Sequence, residues 1–249
     1  MKIINQNLPK CENCVIRNAS LFGELETMHL DQARALRSSQ VVFNAGEHLY
    51  HEGDTPDKAF TLYNGWVSLY KNLEDGSRQI LRFALPGDLL CYKTKFNTPL
   101  DHSAIALTDT TLCAFPLTRF SEVISELPEL SFALSSVSEV TTKRCYGTLT
   151  AIASFAAEAK VAYLVLSLFI RELSIKKDAV ESIHFPITQE DIADALGLTA
   201  IHVNRVIQSL KKRGLIHYEN KQIWVPDQEA LAEVARTDLD ELKMLMVII

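Results

Sequence analysis

The stretch that decides the fold is Thr188-Gln-Glu-Asp-Ile-Ala-Asp-Ala-Leu-Gly-Leu-Thr-Ala-Ile-His-Val-Asn-Arg-Val-Ile-Gln-Ser-Leu-Lys-Lys-Arg-Gly-Leu-Ile216. Thr188 and Asp191 have the spacing of an N-cap pair, in which each side chain reaches the other's backbone amide. Ala193 is small where two helices must come close. Gly197, four residues on, supplies the backbone freedom of a tight interhelix turn. Thr199 is placed to cap a second helix whose Val203, Val206 and Leu210 form one apolar face. The spacing predicts a helix-turn-helix. An ordinary helical hairpin in a core would not require Arg205, Gln208, Lys211 and Lys212 on its second helix. Nor would it require the strand-like alternation of residues 215–225, which turns around Glu219-Asn220. The combination predicts a winged helix-turn-helix that binds duplex DNA.

Groove geometry assigns roles to the outward residues. The second helix, residues 199–213, is expected to enter the major groove with its N-terminal turns against base edges. Arg205 has the fork that matches guanine O6 and N7. Ala200 and Ile201 suit thymine methyl groups, and His202 and Asn204 have the reach for bases or phosphates. Thr199 and the helix N-terminus suit a phosphate. Gln208 and Lys211 complete the candidate DNA-binding set, and Lys211, Lys212 and Arg213 make a local basic cluster.

Upstream, the pattern changes period. Short β-prone runs at 40–43, 59–63, 67–71, 79–84, 104–107 and 112–115 alternate with turn signals such as Asn64-Gly65, Asp75-Gly76 and Pro86-Gly87-Asp88. Many short strands between glycine turns predict an antiparallel barrel or roll. Beyond Pro116 the chain reads as helical. Pro128 opens a long helix over about 128–153, and a second apolar-faced helix follows over 156–173. In the long helix Ser135, Ser138, Thr142, Cys145, Leu149 and Ile152 recur at alternating three- and four-residue steps, the seam of a parallel coiled coil. Leu130, Leu134 and Val137 lie on another face. The fold class is therefore α+β, divided into an N-terminal cysteine-bearing arm (1–20), a roll (21–126) that includes a short helix over 24–37, a dimerisation helix (127–154), a winged helix-turn-helix (155–237) and a C-terminal tail or helix (238–249).

Composition sets bounds on the function. The 249 residues are 47% hydrophobic and 22% charged, which is a globular balance. No apolar run approaches the roughly 18 residues of a membrane span, and the N-terminus lacks the apolar core of a signal peptide, so a cytoplasmic location is expected. The net charge of −6 argues against DNA only at the scale of the whole chain, since a small basic face can sit on an acidic protein. No P-loop, metalloprotease helix or nucleophile elbow is present, and no enzyme activity is expected.

From about residue 11 to 235 the chain resembles the CRP/FNR family of transcription regulators. The resemblance rests on the roll glycines, the Gly87-Asp88 turn, the long helix, and the run Leu196-Gly-Leu-Thr…Val203-Asn-Arg205…Gly214-Leu-Ile216. It implies a double-stranded β-roll like a cyclic-nucleotide-binding domain, a homodimer, palindromic duplex DNA and RNA polymerase as partners. Two departures follow. Where the cyclic-AMP branch carries a Gly-Glu pair and an Arg-Ser pair, this chain has Cys91-Tyr92 and His102-Ser103. The ribose and phosphate would lose their partners, so cyclic nucleotide binding is not expected. In the recognition helix Ile201-His-Val-Asn204-Arg205 keeps the family arginine without its glutamate.

Five cysteines (11, 14, 91, 113 and 145) are an odd set for a disulfide framework. The FNR branch holds a [4Fe–4S] cluster on four cysteines, and the resemblance matches Cys11, Cys14 and Cys113 to three of them. Where the fourth is expected the chain has Ser20, Leu21 and Phe22, and Cys91 lies elsewhere on the roll. A cluster, a zinc or other thiolate site, thiol redox chemistry and plain burial all stay open, as does haem ligation by His29, His48, His51 or a cysteine.

Overall fold

The computed structural model describes residues 2–4, 14–23, 36–93, 98–176 and 181–247. The chain divides into two compact units. One comprises Met1–Leu73 and Leu81–Glu139 with Ile249, the other Glu74–Ile80 and Val140–Ile248.

The first unit is built on two antiparallel sheets. One has the order β1 (Lys2–Ile4), β2 (Ser39–Phe43), β9 (Thr110–Pro116), β4 (Lys58–Asn64), β7 (Leu89–Leu90). The other runs β3 (His48–Tyr50), β8 (Ser103–Ala106), β5 (Val67–Asn72), β6 (Arg78–Ala84), of which Arg78–Ile80 belong to the second unit. Alternating side chains close the space between them, where Val41, Leu62, Val67, Leu69 and Leu112 are all but fully buried. The roll expected from sequence is present. β1, β3 and β7, at two or three residues each, were not expected, because so short a strand shows no alternation.

The Pro86-Gly87-Asp88 turn is fixed from both sides. Gly87 has φ +101°, and a side chain there would run into the backbone carbonyl of Ala19. The Asp88 carboxylate, buried, accepts from the Leu85 amide at 3.0 Å and from Arg82 Nη1 at 3.1 Å. Helix α1 (Leu117–Glu126) and the start of the long helix α2 (Pro128–Ser154) lay Phe120, Leu130 and Ala133 over Leu21, Cys113 and Phe115. Leu134 and Val137 pack on the same cluster, as the second face of α2 led us to expect. Burying a phenylalanine such as Phe120 completely contributes about 1.5–3 kcal/mol. Of the expected helix over 24–37, only Leu36 and Arg37 fall within the described residues.

The second unit surrounds α3 (Ala157–Ile175), whose Val161, Leu166, Phe169 and Ile170 are buried on more than one face. Packed on it are α4 (Gln189–Leu196), α5 (Ala200–Lys212), α6 (Gln228–Val234) and α7 (Leu239–Val247). A three-stranded sheet of order β10 (Ser182–His184), β12 (Gln222–Trp224), β11 (His217–Glu219) follows the helix pair. The C-terminal end, expected as tail or helix, is helix. Arg144 on α2 donates to the Leu245 and Met246 carbonyls at 3.0 and 2.9 Å, satisfying acceptors left open at the α7 C-terminus. Among the described residues no helix is long and apolar enough to cross a membrane.

Candidate nucleic-acid interface

The helix pair forms as its sequence requires. Thr188 Oγ1 accepts from the Asp191 amide at 3.0 Å while Asp191 Oδ2 accepts from the Thr188 amide at 3.0 Å, a complete capping box at the start of α4. Asp191 also receives Arg78 Nη2 at 2.7 Å, and Arg78 Nε meets Asp194 at 2.8 Å. α4 ends at Gly197 in the left-handed region (φ 63°, ψ 42°), and the Leu198 amide closes the turn on the Ala193 carbonyl. Thr199 then caps α5 by accepting from the His202 amide at 3.2 Å. Val203, Val206, Ile207 and Leu210 of α5 are buried, as are Ile192, Ala193 and Leu196 of α4.

This burial leaves one face of α5 outward. Thr199, Ile201, His202, Asn204, Arg205, Gln208 and Lys211 are exposed, and Ala200 is half-buried. Ile201, a large apolar residue on this face, is 69% exposed. Arg205 has no hydrogen-bond or ion-pair partner among the described residues. The basic cluster divides. Lys211 Nζ donates to the Tyr218 carbonyl of β11 at 2.9 Å, and Arg213 Nη1 donates to Glu158 Oε1 at 3.0 Å. Lys211 therefore ties the wing to α5, a link that spacing alone did not reveal. The wing turns through Asn220 and Lys221, with φ 51° and 58°, the paired left-handed conformation of a tight hairpin. Its inner side carries Tyr218, whose hydroxyl donates to the Ile187 carbonyl at 3.3 Å and whose pKa burial raises. Burial, and then the nearby Lys221 and Lys176, holds the His184 pKa below its usual value. Beside α5 lies a cleft of about 360 Å³ lined by Glu158, Thr199, His202, Arg205 and Ser209.

In the roll, the positions that depart from the nucleotide-binding pattern are occupied by protein. Tyr50 Oη lies 2.9 Å from His102 Nε2, and His102 Nδ1 lies 2.7 Å from Asp101 Oδ1. Ser103 Oγ accepts from the Glu52 amide at 2.9 Å. Cys91, in a left-handed conformation (φ 58°), is buried in the apolar cluster with Tyr50, and burial pushes its thiol up to about 12. Burial likewise raises the Tyr50 phenol. The hydrogen bond from His102 lowers the Asp101 carboxyl.

A [4Fe–4S] cluster needs four thiolates. Cys113 sits in the middle of β9, buried, and Gln40 Nε2 donates to its sulfur at 3.4 Å. Burial raises the Tyr63 pKa, and Cys14 and Cys113 raise it further. Cys11 lies outside the described residues. Ser20 is committed to its own turn, its hydroxyl donating to the Arg17 carbonyl and accepting from the Phe22 amide. Cys91 belongs to the other apolar cluster of the roll. No fourth donor accompanies Cys14 and Cys113 among the described residues, and no group of three or more His, Cys, Asp or Glu there is arranged to hold a metal. The described residues alone do not supply the four thiolates of a [4Fe–4S] cluster, and Cys11 is not among them. Of the haem candidates, His29 lies outside the described residues; His48 and His51 are exposed with ring centroids 4.5 Å apart.

Comparison with known proteins places these features together. A cyclic nucleotide-binding domain model matches residues 40–126, and a Crp-like helix-turn-helix domain model matches residues 159–234. The nitrogen fixation regulation protein FixK of Bradyrhizobium diazoefficiens is 31% identical over 214 residues, covering 86% of this chain and 89% of that protein. The chain belongs to the CRP/FNR family. The transcriptional activator protein FnrL of Cereibacter sphaeroides is 27% identical over 240 residues, 94% of each chain. The structure of FixK2 from Bradyrhizobium japonicum superposes with a TM-score of 0.69 at 22% identity, covering 78% of this chain and 96% of that one. CRP/FNR members of this kind are transcription regulators with a helix-turn-helix DNA-binding domain, and so is this protein; it is not an enzyme.

Proposed function

We propose that this regulator binds palindromic duplex DNA as a homodimer in the cytoplasm, with RNA polymerase as its partner and the roll as the part that receives a signal. Thr199, Ala200, Ile201, His202, Asn204, Arg205 and Gln208 form the DNA-reading surface, and Lys211 supports it from the wing junction. The observation that carries this reading is the exposed face of α5, where Arg205, without a hydrogen-bond or ion-pair partner among the described residues, stands beside the exposed Ile201. A bidentate guanine contact and a thymine methyl would satisfy these two groups. The dimer uses the α2 seam of Ser135, Ser138, Thr142, Cys145, Leu149 and Ile152. All but the half-buried Ile152 are exposed in the single chain. Phe132, 75% exposed and three residues before Ser135, extends the stripe with an apolar group that the sequence reading missed.

No cyclic nucleotide is required. His102 and Cys91 are engaged with Tyr50, and position 102 has no arginine to clamp a phosphate. For Cys11, Cys14 and Cys113, thiol chemistry or a three-thiolate metal site remains in place of a four-thiolate cluster. Protein purified without air is expected to lack the broad visible band of an iron–sulfur cluster that bleaches in air. The DNA-binding reading is tested by selecting duplexes from a random-sequence library with the full chain. The expected product is an inverted repeat whose half-site centres lie about 10 base pairs apart or a multiple of that. Enrichment of single, unpaired half-sites would overturn the symmetric reading.

A further inference from the structure

The cleft beside α5 contains one residue with the wrong charge for a DNA surface. Glu158 stands in the first turn of α3, where the helix dipole favours a carboxylate. Its Oε1 accepts from Ser209 Oγ at 3.1 Å and from Arg213 Nη1 at 3.0 Å. His202, Val206, Ser209 and Arg213 follow one another at steps of three or four residues, so they form a single stripe of α5 turned toward this carboxylate. Ile201, Arg205 and Gln208 form the neighbouring, exposed stripe, from which Ile201 and Arg205 also line the cleft.

Building on the reading that α5 faces DNA, we propose that Glu158 is a specificity-determining residue: it holds Arg213 away from DNA phosphates and so suppresses binding to non-operator sequences. The pair does little for the fold, because both side chains are well exposed, at 39% and 47%. Its effect falls on the charge offered to DNA. Affinity for non-operator DNA comes from cations that neutralise phosphates, and each such contact adds about 0.9 to the salt slope. Arg213 caps the end of α5, about 20 Å along the helix from Thr199 at a rise of 1.5 Å per residue. On an operator, base contacts at the N-terminal turns fix α5, and Arg213 stays at the far end. On other sequences nothing fixes the helix, and an untethered Arg213 would find a phosphate.

The test uses the full chain with Glu158→Gln, Arg213→Gln and the double variant. Each is titrated, across a series of salt concentrations, against a duplex selected by the parent and against a scrambled duplex of equal length and composition. Glu158→Gln frees one Arg213 in each protomer, so the dimer is expected to bind the scrambled duplex about thirty- to hundredfold more tightly at 0.1 M salt, with a slope steeper by about 1.8. Its gain on the selected duplex is expected to be smaller, so discrimination falls. Arg213→Gln alone leaves both slopes at the parent value, and in the double variant it abolishes the gain. Equal gains on both duplexes, an unchanged slope in Glu158→Gln, or a steep slope surviving in the double variant would each overturn the proposal. If Arg205→Ala retains full discrimination, the reading of α5 itself fails. If Arg205→Ala loses discrimination while Glu158→Gln behaves as the parent, only this inference fails.

Discussion

Replacing Arg205 separates the charge of that residue from its geometry. Arg205 is exposed on α5 and has no hydrogen-bond or ion-pair partner among the described residues, so its loss breaks no such bond there. A surface substitution of this kind changes folding stability by about 0.5 kcal/mol or less. The whole effect should therefore appear in binding. A bidentate arginine–guanine contact is worth about 1–3 kcal/mol of discrimination, and a symmetric dimer makes it in both half-sites. Arg205→Ala is thus expected to cost about 2–6 kcal/mol on a selected palindrome, a loss of roughly 30-fold to 10⁴-fold. Arg205→Lys keeps the charge without the planar fork, so it should retain affinity for a scrambled duplex while losing discrimination almost as fully. Fluorescence anisotropy titrations on the selected duplex, and on duplexes with single base-pair changes, measure both quantities. Thermal unfolding controls for the fold. If Arg205→Lys discriminates as well as the parent, Arg205 acts as a point charge on a phosphate, and the orientation assigned to α5 is wrong.

Three further outcomes are expected. A variant keeping only Cys145, mildly oxidised, should form a covalent dimer on a non-reducing gel, because a parallel seam sets identical positions opposite one another. A dimer in solution that does not cross-link would refute the seam assigned to α2. Cyclic AMP should show no micromolar binding by calorimetry and should leave DNA affinity unchanged, since His102 pairs with Asp101 and Tyr50 and no arginine replaces it. Gly87→Ala should lower the unfolding midpoint clearly more than Gly46→Ala. Both glycines have positive φ, at a strain of about 1–3 kcal/mol, but only at Gly87 would the new side chain meet backbone, the Ala19 carbonyl. Equal losses in the two variants would show that the contact between Gly87 and Ala19 is not a constraint.

The sequence determined what is local. The Thr188–Asp191 box, the left-handed Gly197, the Thr199 cap and the Asn220 hairpin are each specified by residues within four positions of one another. Short-range steric and hydrogen-bonding preferences suffice to place them. The period-two runs of the roll and the long helical run after Pro128 were legible for the same reason: burial on one face writes itself into spacing. Only the tertiary structure decided what depends on partners distant in the chain. Cys91 and Cys113 look alike in sequence, yet they enter different apolar clusters of the roll, which removes Cys91 as a companion to Cys14. Lys211 and Arg213 look like one basic patch. The first is tied to Tyr218 in the wing, and the second to Glu158, 55 residues away. A side chain's type states what it can bind; which group arrives within 3 Å of it is set by how the helices and strands pack, and that information is not local.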